Sequence, residues 1–300
     1  MQHVREMHRY LHLVTIGQSP LPSRELDPVA WVRVGRIGDV PASTYETLRY
    51  EATDGVATLT LARPEALNAL NGTLRRELLA ALKAAGRDEQ VRALILTGEG
   101  RAFCAGADLR GGEGERQFRR VLTDEYNPIV LAIRELPRPV VAAVNGVAAG
   151  AGVSLALAAD LVIAAEDARF VPAFGRIGLV PDSGLTRVLV WALGRHAAAR
   201  ILLTGDALSA RDAADAGLVA SVVPADQLME SARELARRLA GGPTRAYAYT
   251  KRLINAAEDV PLAESLATEA GYQELAGRTA DHAEGVAAFA EKREPRFSGR

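Results

Sequence analysis

The feature that most constrains this chain is a series of short apolar runs rich in branched residues, VRALILT, VVAAV and LVIAA, separated from one another by segments with helical spacing. Such runs read as strands buried on both faces, and strands that alternate with helices pair in parallel and need helices to cover them. Upstream, TYETLRYEA and VATLTLA alternate with period two around Asp54-Gly55, a two-residue hairpin signal, and Pro64 ends the second strand. NGTLRRELLAALKAAG then places Leu74, Leu78 and Leu82 on one face of a helix predicted to begin after a capping Asn71 and to stop at Gly86. Further helices are predicted near 115–135 and from about Gly150. No repeat of fixed period accompanies the pattern.

After about Ser183 the pattern is helical, apart from LVASVV at 218–223, which reads as a short edge strand. ARELARRLAG, TRAYAYTKRLINAAE, LAESLATEAGYQELAG and HAEGVAAFAEKR are four successive helix candidates. Their apolar faces need cover, from the sheet or from another subunit. Residues 1–43 hold several prolines and no clean period, and read as an extension, partly disordered, outside the main fold. His3, His8 and His12 fall there without a carboxylate or cysteine cluster beside them, so they read as solvated side chains and no metal site is expected.

Lys and Arg number 36 against 37 Asp and Glu, and a net charge of −1 offers no field to draw in nucleic acid or an anionic membrane surface. The uncharged stretch 140–159 is long enough to cross a bilayer. Asn145, Gly146, Gly150, Gly152 and Ser154 interrupt it, however, and it reads as a buried strand, a glycine loop and a small-residue helix. The scattered charges of MQHVREMHRYLHLV do not form a secretory signal, and the one cysteine, Cys104, leaves no intrachain disulfide, so a cytoplasmic setting is expected.

Familiar nucleotide and hydrolase motifs are absent: there is no GxxxxGK[ST], no HExxH and no GxSxG, and Gly150-Ala151-Gly152 lacks the third glycine of a dinucleotide loop. What stands out is a pair of glycine-containing loops after buried strands, GEGRAFCAGADL and NGVAAGAGVSL. Their small residues serve either tight helix–sheet packing or the close approach of a ligand to amide N–H groups that bind a negatively charged oxygen.

LARPEALNALN, GRAFCAGADLR, AVNGVAAGAG, RFVPAFGRIGLVPDSG, LTGDALSARDAADAGLV and EGVAAFAEKREPRF resemble, in order, signatures of the crotonase (enoyl-CoA hydratase/isomerase) superfamily, over about residues 45–297. The resemblance implies an α/β fold built as a spiral of ββα units over 44–240 and a helical trimerisation layer over 241–300. It further implies an acyl-CoA thioester as substrate, no cofactor beyond the CoA of that substrate, and a homo-oligomer, either a trimer or a dimer of trimers. It carries the two oxyanion-hole donors onto the amides of Ala107 and Ala151. It assigns the wall for the nucleotide end of CoA to Arg63, Ala105, Asp108, Phe289 and Lys292, and further substrate contacts to Leu109, Gly150, Phe174 and Leu185. Cys104, inside the first loop, is expected to be inert.

Hydratases of this superfamily use two glutamates, whose positions fall here at Ser154 and Phe174, and each lost acid or base costs on the order of 10²- to 10⁴-fold. A group of family isomerases instead carries a single acid/base at the position of Asp182 in GLVPDSG. That loop, with VAAGAG, FVPAF and Tyr126-Asn127-Pro128, is most similar to the 2-(1,2-epoxy-1,2-dihydrophenyl)acetyl-CoA isomerases of phenylacetate catabolism. On the residues alone, Asp182 or Ser183 reads equally well as the cap of a helix starting near 183. Leu185 and Val190-Trp191 depart from that branch at positions that touch or border the expected acyl pocket, which leaves the acyl group open between a ring epoxide and another acyl chain. Other readings are a hydratase or other crotonase-type lyase and an RNA-associated, non-catalytic member of the fold; the near-neutral charge argues against the last.

Overall fold

Asp54 and Gly55 both take positive φ, 53° and 77°, as in a type I′ turn. They fold β1 (Leu48–Thr53) back on β2 (Val56–Leu61) in an antiparallel pair. The computed structural model describes residues 45–110, 117–257 and 259–300; the N-terminal extension with its three histidines lies outside the described residues. Asn71 Oδ1 accepts from the Leu74 amide at 2.8 Å and starts α1 (Gly72–Arg87), whose Leu74, Leu78 and Leu82 are wholly buried. The helix does not stop at Gly86. It continues to Arg87, and Gly86 serves packing instead, since a Cβ there would come within 3.1 Å of Leu136 Cδ1.

The chain then runs through β3 (Ala93–Gly98), β4 (Ala102–Cys104), α2 (Phe118–Val121), α3 (Asn127–Glu135), β5 (Val140–Val144), β6 (Val147–Ala149), α4 (Ala151–Leu157), β7 (Leu161–Ala165) and β8 (Arg169–Val171). It continues with α5 (Leu185–Thr204), β9 (Leu208–Ser209), α6 (Ala210–Asp215), β10 (Ser221–Val223), α7 (Leu228–Ala240), α8 (Thr244–Ala256), α9 (Leu262–Gly277) and α10 (Ala280–Glu291). A π-helical turn, Leu122–Tyr126, joins α2 to α3, and α5 is broken at Gly194, whose φ of 73° is not helical.

Two sheets result. The larger has the order β1-β2-β3-β5-β7-β10 and is parallel from β2 onward, with β10 on the edge beside β7 as expected. The smaller, β4-β6-β8-β9, was not anticipated from the periodicity: β4 and β6 run through the two glycine loops. Strands of two or three residues are too short for an alternating pattern to register. Each of the pairs β3/β4, β5/β6 and β7/β8 gives its first strand to the large sheet and its second to the small one. The pairs are unevenly spaced along the chain, so a structural repeat exists without a sequence period. The stretch 140–159 divides into β5, β6 and α4, and among the described residues no helix is long and apolar enough to cross a membrane.

β3 and β5 are buried along their whole length. On this sheet packs α7, through Leu228, Ala232, Ala236 and Ala240. The last two helices are different: α9 buries no residue, α10 buries only Asp281 and Ala288, and Leu262, Leu266, Val286 and Phe289 are exposed on them.

Candidate active site

The first glycine loop is set against the segment before α1. The Leu70 amide donates to the Gly106 carbonyl at 2.7 Å, and the Asp108 amide donates to the Leu70 carbonyl at 3.3 Å. A trans peptide is planar with its C=O and N–H opposed. Because the Gly106 carbonyl faces Leu70, the Ala107 N–H in the same peptide plane is turned outward, away from the bridge. Gly106 has φ 89°, and a Cβ on it would lie 2.7 Å from the Ala149 carbonyl, so only glycine lets this loop approach the end of β6.

The second loop delivers its amide from the other side. Gly150 donates its N–H to the Val171 carbonyl at 2.9 Å, and the chain then enters α4 at Ala151, whose N–H the helix itself cannot pair. A Cβ on Gly152 would lie 2.1 Å from the Cys104 carbonyl; this second obligatory glycine seats α4 directly on the first loop. The Cβ position of Gly106 lies 3.4 Å from the Ala151 nitrogen, which makes the two loops neighbours. Among the described residues neither the Ala107 nor the Ala151 N–H has a backbone partner. Tight packing of the loops thus leaves two amides, those of Ala107 and Ala151, without a backbone acceptor among the described residues.

Asp182 follows from α4 as well. Ser154, buried on that helix, donates from Oγ to the Asp182 carbonyl at 3.1 Å, and the Leu185 amide donates to the same oxygen at 3.1 Å. The backbone of Asp182 is thereby held, and Oδ1 of its side chain takes no part in these bonds. α5 begins at Leu185 after Gly184 and has no side-chain cap, which corrects the capping reading of Asp182 and Ser183. Asp182 Oδ1 and Ser183 Oγ are instead buried without a hydrogen-bond partner among the described residues. Burial pushes the Asp182 carboxyl above its ordinary value, and the adjacent Ser183 hydroxyl offsets this only in part.

Apolar groups border these polar ones. Phe174 is buried with its Cζ 4.0 Å from where a Gly150 Cβ would sit, and Leu185 is buried at the start of α5. Tyr126 is also buried; burial first, and the neighbouring Asp182 carboxylate among lesser causes, push its hydroxyl up to about 12. Burial likewise pushes the Cys104 thiol up to about 12, which disfavours the nucleophilic thiolate.

The residues assigned to the CoA wall separate into two places. Arg63 Nη2 and Asp108 Oδ2 form an ion pair at 2.9 Å, and Arg63 Nη1 donates to the Ala69 carbonyl. Burial works to raise the Asp108 carboxyl, but the Arg110 amide and the Arg63 guanidinium outweigh it and hold it below the usual carboxylate range. Half-buried Ala105 donates its amide to the Leu67 carbonyl at 2.9 Å, and Leu109 beside them is exposed. Phe289 and Lys292, exposed at the end of α10, have no hydrogen bond or ion pair to this group among the described residues. No group of three or more His, Cys, Asp or Glu side chains able to hold a metal ion occurs among the described residues.

Three residues have supporting roles that the sequence does not reveal. Wholly buried Asn68 accepts from the Arg63 amide at 2.9 Å and donates to the carbonyls of Glu99 and Ala102 at 2.9 and 2.8 Å, tying three segments together. Ser154, at a hydratase glutamate position, holds the Asp182 carbonyl. Arg75 is buried beside Tyr126, a charge at the margin of an apolar helix face.

A sequence profile for enoyl-CoA hydratase/isomerase matches residues 51–300. The chain is 48% identical over 258 residues to a probable enoyl-CoA hydratase of Rhodobacter capsulatus, spanning 86% of this chain and 100% of that protein. It is 46% identical over 251 residues to the 1,2-epoxyphenylacetyl-CoA isomerase of Escherichia coli, spanning 82% and 96%. The crystal structure of an enoyl-CoA hydratase from Bacillus anthracis matches with a TM-score of 0.81 at 36% identity, over 85% of this chain and 100% of that one.

Proposed function

The chain belongs to the enoyl-CoA hydratase/isomerase family, and from that premise we propose that it is an isomerase of acyl-CoA thioesters with Asp182 as its single acid and base. Its mixed α/β core with a C-terminal helical region is the crotonase fold. The observation that carries the reading is the buried Oδ1 of Asp182, without a hydrogen-bond partner among the described residues, in a chain where the two hydratase glutamate positions hold Ser154 and Phe174. Ser154 is committed to the Asp182 carbonyl, and Phe174 has no proton to exchange.

An allylic shift needs only one carrier. The Asp182 carboxylate takes a proton from C2 or C4 of an enoyl thioester, the dienolate oxygen receives hydrogen bonds from the Ala107 and Ala151 amides, and the protonated Asp182 returns the proton at the other carbon. A raised carboxyl pKa suits both halves of that cycle, since it strengthens the base and keeps the acid available nearer neutral pH. The chemistry needs no cofactor apart from substrate CoA. The likeness to the E. coli isomerase extends the proposed substrates to a ring-epoxide acyl-CoA of phenylacetate catabolism. Exposed apolar residues on α9 and α10 fit a cytoplasmic homotrimer or dimer of trimers.

Two absorbance assays test the reading. With 3-hexenoyl-CoA, the conjugated product should form at least about 10²-fold faster than crotonyl-CoA loses its conjugation to water, the scale of one missing acid or base. Hydration faster than isomerisation would overturn it.

A further inference from the structure

Beneath the first glycine loop lies a buried charged cluster to which the proposed chemistry gives no role. The side chain of Arg75, in the first turns of α1, turns back toward the residue that precedes the helix cap. Its Nη1 donates to the Leu70 carbonyl at 2.9 Å and to the Tyr126 hydroxyl at 3.2 Å, one proton for each. Its Nε donates to Glu125 Oε2 at 2.7 Å, and its guanidinium carbon lies 4.9 Å from the centre of the Tyr126 ring. The Tyr126 hydroxyl in turn donates to the Leu70 carbonyl at 3.4 Å. Glu125 and Tyr126 close the π-helical turn between α2 and α3, an irregularity that brings two adjacent side chains to one guanidinium.

Arg75 and Tyr126 both donate to the Leu70 carbonyl, and Leu70 sets the direction of the Ala107 amide. Its N–H holds the Gly106 carbonyl and its carbonyl receives the Asp108 N–H, so the two peptide planes flanking Ala107 are both anchored on one residue. A shift of Leu70 turns the Gly106–Ala107 plane, and with it the Ala107 N–H. Burying an arginine is costly unless it is paired and hydrogen-bonded, and a surface loop has no need of such an anchor.

We propose that Arg75, with Tyr126, is a positioning residue that aims the Ala107 N–H at the thioester oxygen by clamping the Leu70 carbonyl. The proposal rests on the reading of Ala107 as an oxyanion donor, and it holds whether the reaction is isomerisation or hydration. A misaligned donor costs rate more than affinity, because the hydrogen bond matters most once charge has developed on the oxygen.

The test is the carbonyl stretch of bound hexanoyl-CoA, a saturated thioester with no double bond to move, measured by infrared difference spectroscopy with carbon-13 at C1. In the wild type the band should shift to lower frequency on binding. In Arg75→Lys, which keeps the charge but loses the planar fork, the band should return most of the way toward its solution position. Turnover of 3-hexenoyl-CoA should fall roughly 10- to 100-fold with KM within about threefold. Tyr126→Phe removes only the hydroxyl and should move the band part of the way, so it serves where Arg75→Lys fails to fold. A full wild-type shift in both folded variants would overturn the positioning role while leaving the oxyanion hole in place. Absence of any shift in the wild type would instead remove the oxyanion reading, and this proposal with it.

Discussion

Asp182→Asn should lower turnover of a 3-enoyl-CoA by at least about 10²-fold, the usual scale for losing a general acid–base, with the Kd for a saturated acyl-CoA unchanged. The same substitution should stabilise the protein at neutral pH. The folded-state pKa of Asp182 is raised from 3.8, mainly by burial. At low pH the carboxyl is protonated in both folded and unfolded chains and carries no penalty. As pH rises through the ordinary carboxylate value the unfolded chain ionises first, and the penalty on the folded state is complete once pH passes the raised folded pKa. Thermal melts should therefore show Asp182→Asn above wild type at pH 7, with the difference closing toward pH 3. The wild-type kcat/KM should fall on acidification with its limb above 3.8, the unshifted value. A variant that is both slower and less stable at pH 7 would mean that Asp182 holds the loop together and moves no proton.

The second large effect concerns a backbone atom, which side-chain substitutions cannot usually reach. Ala151 is the first residue of α4, the one helical position where proline is well accommodated, because no intrahelical bond uses its N–H. Ala151→Pro deletes that N–H and leaves the helix in place. Loss of one oxyanion donor should cost about 10²- to 10³-fold in kcat. The melting temperature should stay within a few degrees of wild type, and an unaltered kcat in a folded Ala151→Pro protein would remove Ala151 from the hole.

The sequence makes the large sheet legible because its strands are long enough, and apolar enough, to register a pattern: VRALILT, VVAAV and LVIAA all lie in it, and Asp54-Gly55 marks the hairpin at its edge. The small sheet is hidden because Ala102–Cys104 and Val147–Ala149 are too short to show a period and sit among glycines that read as loop. At the site, the glycine spacing and the resemblance bring forward Gly106, Ala107, Gly150 and Ala151. The reason glycine is needed at 106 and 152 becomes visible only when the Ala149 and Cys104 carbonyls are found where a Cβ would be. Pro181-Asp182-Ser183-Gly184 reads as a helix-capping turn in one dimension. Ser154, far away in the chain, takes the Asp182 carbonyl, α5 starts without a side-chain cap, and Asp182 Oδ1 has no hydrogen-bond partner among the described residues. Arg75 looks like a solvated helix charge until its partners on the π-helical turn, distant in sequence, are placed beside it.

The most direct measurement of one-carboxylate isomerisation follows a 3-enoyl-CoA in deuterated water by mass spectrometry and NMR. The isomerase assignment predicts the 2-enoyl thioester as product, with deuterium entering at C2 or C4 through exchange on Asp182, and no build-up of a 3-hydroxyacyl-CoA. Accumulation of the 3-hydroxyacyl thioester as the main product, or label entering at the wild-type rate in Asp182→Asn, would contradict it.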